Sequence, residues 1–216
     1  LRETSVILDE GFAGWGRNVR SFLVLMGLAV GLAGCAQPPP RSDTFYRLEL
    51  PAAQRLPSEA TSGILEVARL DVDGVLSQRS LAYIDERTPI NVQSYRYEYW
   101  TDAPGMLVQS GLVDFLRQSN IARTVLTPDA RATADYTLRG RIKRFEQVLA
   151  GKATKGVAEI EFTLSGRDGK LLLVKRYMAE APAASDSPQA AIRAITEAVG
   201  KIAAELARDI AAAARG

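Results

Sequence analysis

The chain has 216 residues, a single cysteine, no histidine and a formal net charge of +2. Without histidine the commonest general base, the commonest metal ligand and every Ser-His or Cys-His nucleophile pair are excluded. A charge so close to zero leaves no footprint for nucleic acid, and a lone cysteine permits no disulfide within the chain.

Leu1–Asn18 carries Glu3, Asp9 and Glu10, unusual ahead of a secretory leader, and points to a translation start near Val19 with residues 1–18 as an extension. Arg17 and Arg20 precede an apolar run from Phe22 to Leu32, which ends in Leu32-Ala33-Gly34-Cys35. Basic residues, a short apolar segment and small residues at a cut site make up the layout of a signal peptide over 1–34. Eleven residues are too few to cross a hydrocarbon core of about 30 Å as a helix. The Leu-Ala-Gly-Cys end resembles a bacterial lipobox. That resemblance implies cleavage before Cys35, a diacylglycerol on its thiol and an N-acyl chain of the palmitate type on its amine, with no other cofactor. Each buried CH₂ contributes about 0.8 kcal/mol and stable anchoring takes two chains, so three would hold the protein on a membrane.

Residues 35–43 form a lipidated tether, stiffened into polyproline II by Pro38-Pro39-Pro40 or simply disordered. Residues 44–216 are the folded domain. Thr44–Leu50 reads as a first strand and Gly63–Leu70 as a second with apolar residues on both faces, as in a covered sheet. Asp71-Val72-Asp73-Gly74 opens like a calcium loop, but the later ligands are missing, so it reads as a turn. Ser80–Asp85 and Asn91–Trp100 make a hairpin around Glu86–Pro89. In the second of these strands Tyr95, Tyr97 and Tyr99 share one face, and Arg96, Glu98 and Trp100 the other. Tyr95, Tyr97, Tyr99 and Trp100 are candidates for contact with a partner or lipid; equally, the rings pack beneath a helix with their hydroxyls at the rim.

A helix follows from Pro104 to about Gln118, capped by Asp102 or Ala103, with Val108, Leu112, Phe115 and Leu116 as its buried stripe. Ile121–Thr127 is a short strand. Asp135–Leu149 is a long one, with Tyr136, Leu138, Gly140 and Ile142 facing one way. Arg139, Arg141 and Lys143 face the other, and a bulge is expected near Arg144 because Phe145 breaks the alternation. This basic row either meets an acidic partner or lipid head groups, or is the wet face of a strand. Ala150–Gly156 reads as a flexible tip. Val157–Arg167 follows, burying Ala158, Ile160, Phe162 and Leu164. Glu159 and Glu161 share its other face; they are better cross-strand partners of the basic row than an acid–base pair. Asp168-Gly169 makes a tight turn into a last strand, Lys170–Ala181. Ser187-Pro188 opens a long helix to about Ala214, whose stripe Ile192, Ile195, Val199, Ile202, Leu206 and Ile210 must lie against the sheet or a partner subunit.

These elements predict a single α/β domain, a mixed and largely antiparallel sheet flanked by helices, ending in a long C-terminal helix. The Tyr46-Arg47-Leu48 strand after the lipobox, the strand ending Tyr97-Glu98-Tyr99-Trp100, and Tyr136 to Ile142 with Phe145-Glu146 resemble the ABC-type transport auxiliary lipoprotein family, which includes the paraquat-inducible protein C group. The resemblance implies an anticodon-binding-domain-like arrangement and no enzyme activity, with no catalytic or metal-binding residues to carry over. It implies partnership with an ABC permease, its ATPase and a mammalian-cell-entry (MCE) domain protein, in systems that move lipids between two membranes and support membrane integrity. Ala36 rather than Asp after the cysteine resembles the known lipoprotein sorting pattern for the outer membrane, which implies its periplasmic face. The expected function is therefore a tethered, non-enzymatic adaptor that docks the MCE protein. The alternative is a periplasmic lipid carrier, which needs an apolar cavity of several hundred Å³. A Ser-Lys or carboxylate hydrolase has no supporting motif. The apolar last helix also fits a homo-oligomer.

Overall fold

The computed structural model describes residues 41–214. Its strands are β1 (Thr44–Tyr46), β2 (Thr61–Val67), β3 (Asp71–Val72), β4 (Ser80–Asp85), β5 (Gln93–Trp100), β6 (Ala122–Leu126), β7 (Tyr136–Leu149), β8 (Lys155–Gly166) and β9 (Leu171–Pro182). Its α-helices are α1 (Pro104–Gln118) and α2 (Pro188–Ala213).

The long strand β7 organises the sheet. One of its edges pairs antiparallel with β8 from Tyr136↔Gly166 to Val148↔Lys155. The other edge takes three short strands in succession, all parallel: β2 beside Tyr136–Leu138, β3 beside Arg141–Ile142 and β4 beside Glu146–Leu149. Beyond β2 lies β6, parallel to it; beyond β4 lies β5, antiparallel; and β1 runs parallel to the end of β5. Outside β8 comes β9, antiparallel over nearly its full length. The sheet is mixed as expected: antiparallel ladders join the long strands, and parallel pairing attaches most of the short ones. The predicted bulge falls between Ile142 and Arg144. One extra residue there shifts the phase of β7, so that Ile142 and Phe145 both point into the core, at 2% and 1% exposure.

Both helices cover the same face. In α1, Pro104 occupies the first turn, and the N-cap is Ala103, which offers no side-chain cap. In α2, the Ser187 hydroxyl accepts from the Ala190 N–H at 3.2 Å, the expected cap. All six residues of the predicted α2 stripe are buried, and the helix packs on β8 and β9. The sheet, rather than a second subunit, therefore covers the apolar stripe. The core is filled by Trp100 against Phe145, with ring centroids 5.0 Å apart, and by Phe162 edge-on to Tyr177 at 5.9 Å.

Two local expectations change. The tip between β7 and β8 is only a short 3₁₀ turn, Gly151–Ala153, and β8 already begins at Lys155. Gly156 is thus a packing residue: a Cβ there would meet the Ile195 backbone nitrogen at 2.3 Å, so its missing side chain lets α2 lie directly on β8. The first strand stops at Tyr46, although Leu48 continues into the core at 8% exposure; its side chain packs with no partner strand for its backbone.

Candidate functional site

On the sheet face away from the helices, Arg139, Arg141 and Lys143 of β7 are all exposed. Arg141 is clasped by Asp73 at 3.1 Å and Asp71 at 3.6 Å. The Asp-Val-Asp-Gly segment is thus an arginine clasp at the start of β3; among the described residues no group of three or more acidic, His or Cys side chains is placed to hold a metal. Such exposed pairs contribute about 0–1 kcal/mol each. The cross-strand scheme expected for the basic row also changes. Glu161 is in register with Arg141 on one side and Arg176 on the other, whereas Glu159 pairs with Arg176 at 3.4 Å. The parallel pairing of β3 with β7 sets Asp71 in register with Arg141 and brings Asp73, just after β3, within reach of it instead. Beside the bulge, Arg144 pairs at 2.6 Å with Glu146, which is 4% exposed and also accepts the Phe145 N–H at 2.7 Å. Arg139 and Lys143 lie on the solvent side of this frame.

The aromatic set on β5 does not form one ladder. Trp100 is fully buried, so it belongs to the core and leaves the contact candidates. Tyr95 also packs inward and donates to Gln147 Oε1 at 2.7 Å. An irregularity in the β4–β5 pairing, Ser80↔Tyr99 followed by Ala82↔Ser94, inserts extra residues into β5 and lets Tyr95 and Trp100 face the same way. Burial above all, then the neighbouring Tyr83, pushes the Tyr95 phenol up to about 12. Tyr46 donates to Glu98 at 2.6 Å and accepts from Gln189 of α2 at 2.9 Å. Burial, with Glu98 beside it, likewise takes the Tyr46 phenol up to about 12. Both phenols are neutral structural donors. What remains at the surface is Tyr97, half-buried, and Tyr99, stacked on Phe45 at 5.7 Å. The Arg79 guanidinium lies 5.3 Å from the Phe45 ring centroid and donates to the Trp100 carbonyl at 3.1 Å. Phe45 and Arg79 escaped the sequence reading because nothing in their local pattern shows that β1 pairs with β5.

Two further features bear on chemistry. A solvent-open groove of about 470 Å³ runs between the segment after β1 and the start of α2, lined by Arg47, Glu49, Pro51, Ile192, Arg193 and Thr196 among others. On β9, Lys175 pairs with Glu205 and Asp209 of α2 at 2.8 Å each, and Tyr177 donates to Asp209 at 2.8 Å. The hydrogen bonds that its ammonium donates to Asp209 and Glu205 raise Lys175 above its ordinary value. That makes it a firm cation, the reverse of what a general base requires. Cys35 and the Leu32, Ala33 and Gly34 positions lie outside the described residues. No described helix is long and apolar enough to cross a membrane.

A mixed sheet backed by two helices, with Tyr46, Tyr95, Lys175 and Tyr177 tied into hydrogen bonds within that frame, defines the class of domain as a mixed α/β module. The chain belongs to the family of ABC-type transport auxiliary lipoprotein components, whose family model matches residues 46–207. The fold is similar to that of a Xanthomonas campestris protein of family DUF330, at 19% identity and a TM-score of 0.67, over 76% of this chain and 92% of that one. An uncharacterized protein of solved structure is similar at 17% identity and a TM-score of 0.63, over 79% and 99%. Likeness to the PelC dodecamer of Paraburkholderia phytofirmans is more distant, at 15% identity and a TM-score of 0.41, over 73% and 92%. No curated protein matches the chain.

Proposed function

We propose that this auxiliary lipoprotein is a non-catalytic adaptor, anchored through acylated Cys35 to the periplasmic face of the outer membrane after removal of residues 1–34. It docks the MCE-domain protein of an ABC transport system and so supports lipid movement between membranes and membrane integrity. The single observation that carries this reading is the family match over 46–207, directly behind the Leu-Ala-Gly-Cys segment. The docking surface is the open sheet face around Arg139 and Lys143. Because the anchor supplies effective concentration, the docking contact itself can be weak.

The test is co-purification of the MCE protein with the wild-type chain and with an Arg139→Glu, Lys143→Glu variant. The variant folds normally and recovers much less MCE protein. Equal recovery by both would remove this face from the account. A lipid-carrier role has one observation in its favour, the groove beside Ile192; phospholipid that stays bound to delipidated wild type and is lost from an Ile192→Glu variant would support it instead.

A further inference from the structure

The β4–β5 hairpin ends in a tip that the fold does not explain. The Ile90 side chain is 90% exposed and Val92 is 45% exposed. Ile90 is the most exposed of the large apolar residues on the described surface. The tip is nonetheless built to hold a shape. Thr88 N–H donates to the Asp85 carbonyl at 2.8 Å and Asn91 N–H to the Thr88 carbonyl at 3.0 Å, making two successive turns. Pro89 sits at the second position of the latter turn, where its fixed φ is favourable. Arg87 is locked onto Asp85, with its Nη2 at 2.6 Å. A rigid turn that holds an isoleucine in water gains nothing from the fold itself.

The topology says what lies in front of the tip. β1 runs parallel to β5, with Thr44 level with Glu98, and β5 starts at the tip. The chain therefore enters β1 from the tip side. From Thr44 to the tip is five residues of strand, Gln93 to Glu98, at most about 17 Å, plus a turn spanning less than about 7 Å. Nine residue steps separate Cys35 from Thr44; a stretch of that length spans at most about 28 Å at polyproline II spacing. A tether anchored at Cys35 is thus long enough, with little to spare, for the tip to reach the bilayer plane. At the same end of the sheet lies the β7–β8 turn, with Lys152 exposed, while the Asp85 carboxylate beside the tip is already neutralised by Arg87.

We propose that the Pro89–Val92 tip is a second, shallow membrane contact, which inserts Ile90 and Val92 into the lipid surface and fixes the orientation of the anchored domain. This rests on the reading of Cys35 as the acylated anchor. The occupant is lipid rather than protein because the chain enters the domain from the tip side and nine residue steps from Cys35 are enough for the tip to reach the bilayer.

The test uses the acylated full-length chain, purified from bacterial membranes and reconstituted in phosphatidylethanolamine–phosphatidylglycerol vesicles. With Cys35 acylated, Ile90→Cys supplies the single free thiol for an environment-sensitive fluorophore. Asp168→Cys, in the β8–β9 turn at the far end of the sheet, supplies the reference. The probe at 90 shifts to the blue and is quenched by lipids brominated about 5–10 Å below the surface, whereas the probe at 168 does neither. If Cys35 is acylated and the protein floats with the vesicles, but the two probes emit alike, the tip contact is refuted and the anchor stands. If Cys35 proves unmodified, the anchor fails and takes the tip contact with it. If the probe at 90 is shielded only when a soluble partner protein is added, the tip is a protein contact and the proposal is overturned.

Discussion

Gly156→Ala should loosen the docking of α2 on β8. The new methyl would lie 2.3 Å from the Ile195 nitrogen and 2.5 Å from the Ala194 carbonyl carbon, where ordinary contact begins at 3.4 Å. Both obstacles are helix backbone and cannot rotate aside, so α2 must retreat by about 1 Å. The retreat opens the packing around Ile195 and Val199, both fully buried. Overpacking of this kind costs about 1–3 kcal/mol, and a backbone obstacle places it near 3. Each kcal/mol moves the Tm of a domain this size by about 2–4 °C, so a drop of about 6–12 °C is expected in thermal unfolding followed by far-UV circular dichroism. Gly151→Ala is the control. At Gly151 φ is +59°, in the left-handed region, with nothing within 4 Å of a Cβ, so only a backbone cost of about 1–2 kcal/mol applies. A Gly156→Ala protein no less stable than Gly151→Ala would refute the close-approach reasoning.

Trp100→Ala should cost about 3–5 kcal/mol in urea unfolding, because the ring is wholly buried against Phe145, while Arg139→Ala stays within about 0.5 kcal/mol; a stable Trp100→Ala protein would restore Trp100 to the contact surface. Burial alone would push the Asp209 carboxyl up, but hydrogen bonds from Lys175 and Tyr177 outweigh it and hold it below the usual carboxylate range. A carboxyl depressed on folding contributes stability above its unfolded pKa and loses it as pH falls through its folded one. Acid titration of stability below about pH 4 should therefore be shallower in Tyr177→Phe than in wild type, and identical slopes would contradict the role given to Asp209. Cys35→Ala should leave thermal stability unchanged in detergent-free solution yet abolish complementation of the transport defect; full complementation by the soluble form would count against the tether.

The helices were readable because their apolar residues recur at helical spacing: Val108, Leu112, Phe115 and Leu116 in α1 and the six-residue stripe of α2 are all buried. The β7–β8–β9 meander was readable for the same kind of reason, with period-two alternation and turn residues at Asp168-Gly169. Even the bulge at Lys143 showed itself, since Phe145 could not otherwise face inward. What escaped was non-local. Nothing in β2, β3 or β4 says that all three line up along one edge of β7, because parallel partners are joined through distant chain. For the same reason the partners of Arg141 were misplaced: Asp71 and Asp73 approach it through the β3–β7 pairing. The β5 aromatics misled because strict alternation was assumed through an irregular ladder. Gly156 looked like a loop glycine because a close helix–strand approach leaves no mark on the sequence except the missing side chain.

The central claim is best tested by the intact mass of the protein extracted from its native membrane, with peptide mapping of its N-terminus. The account predicts a chain that begins at Cys35 and carries a diacylglyceryl thioether and an N-acyl group. A free thiol at Cys35, or a retained leader ahead of it, would contradict it.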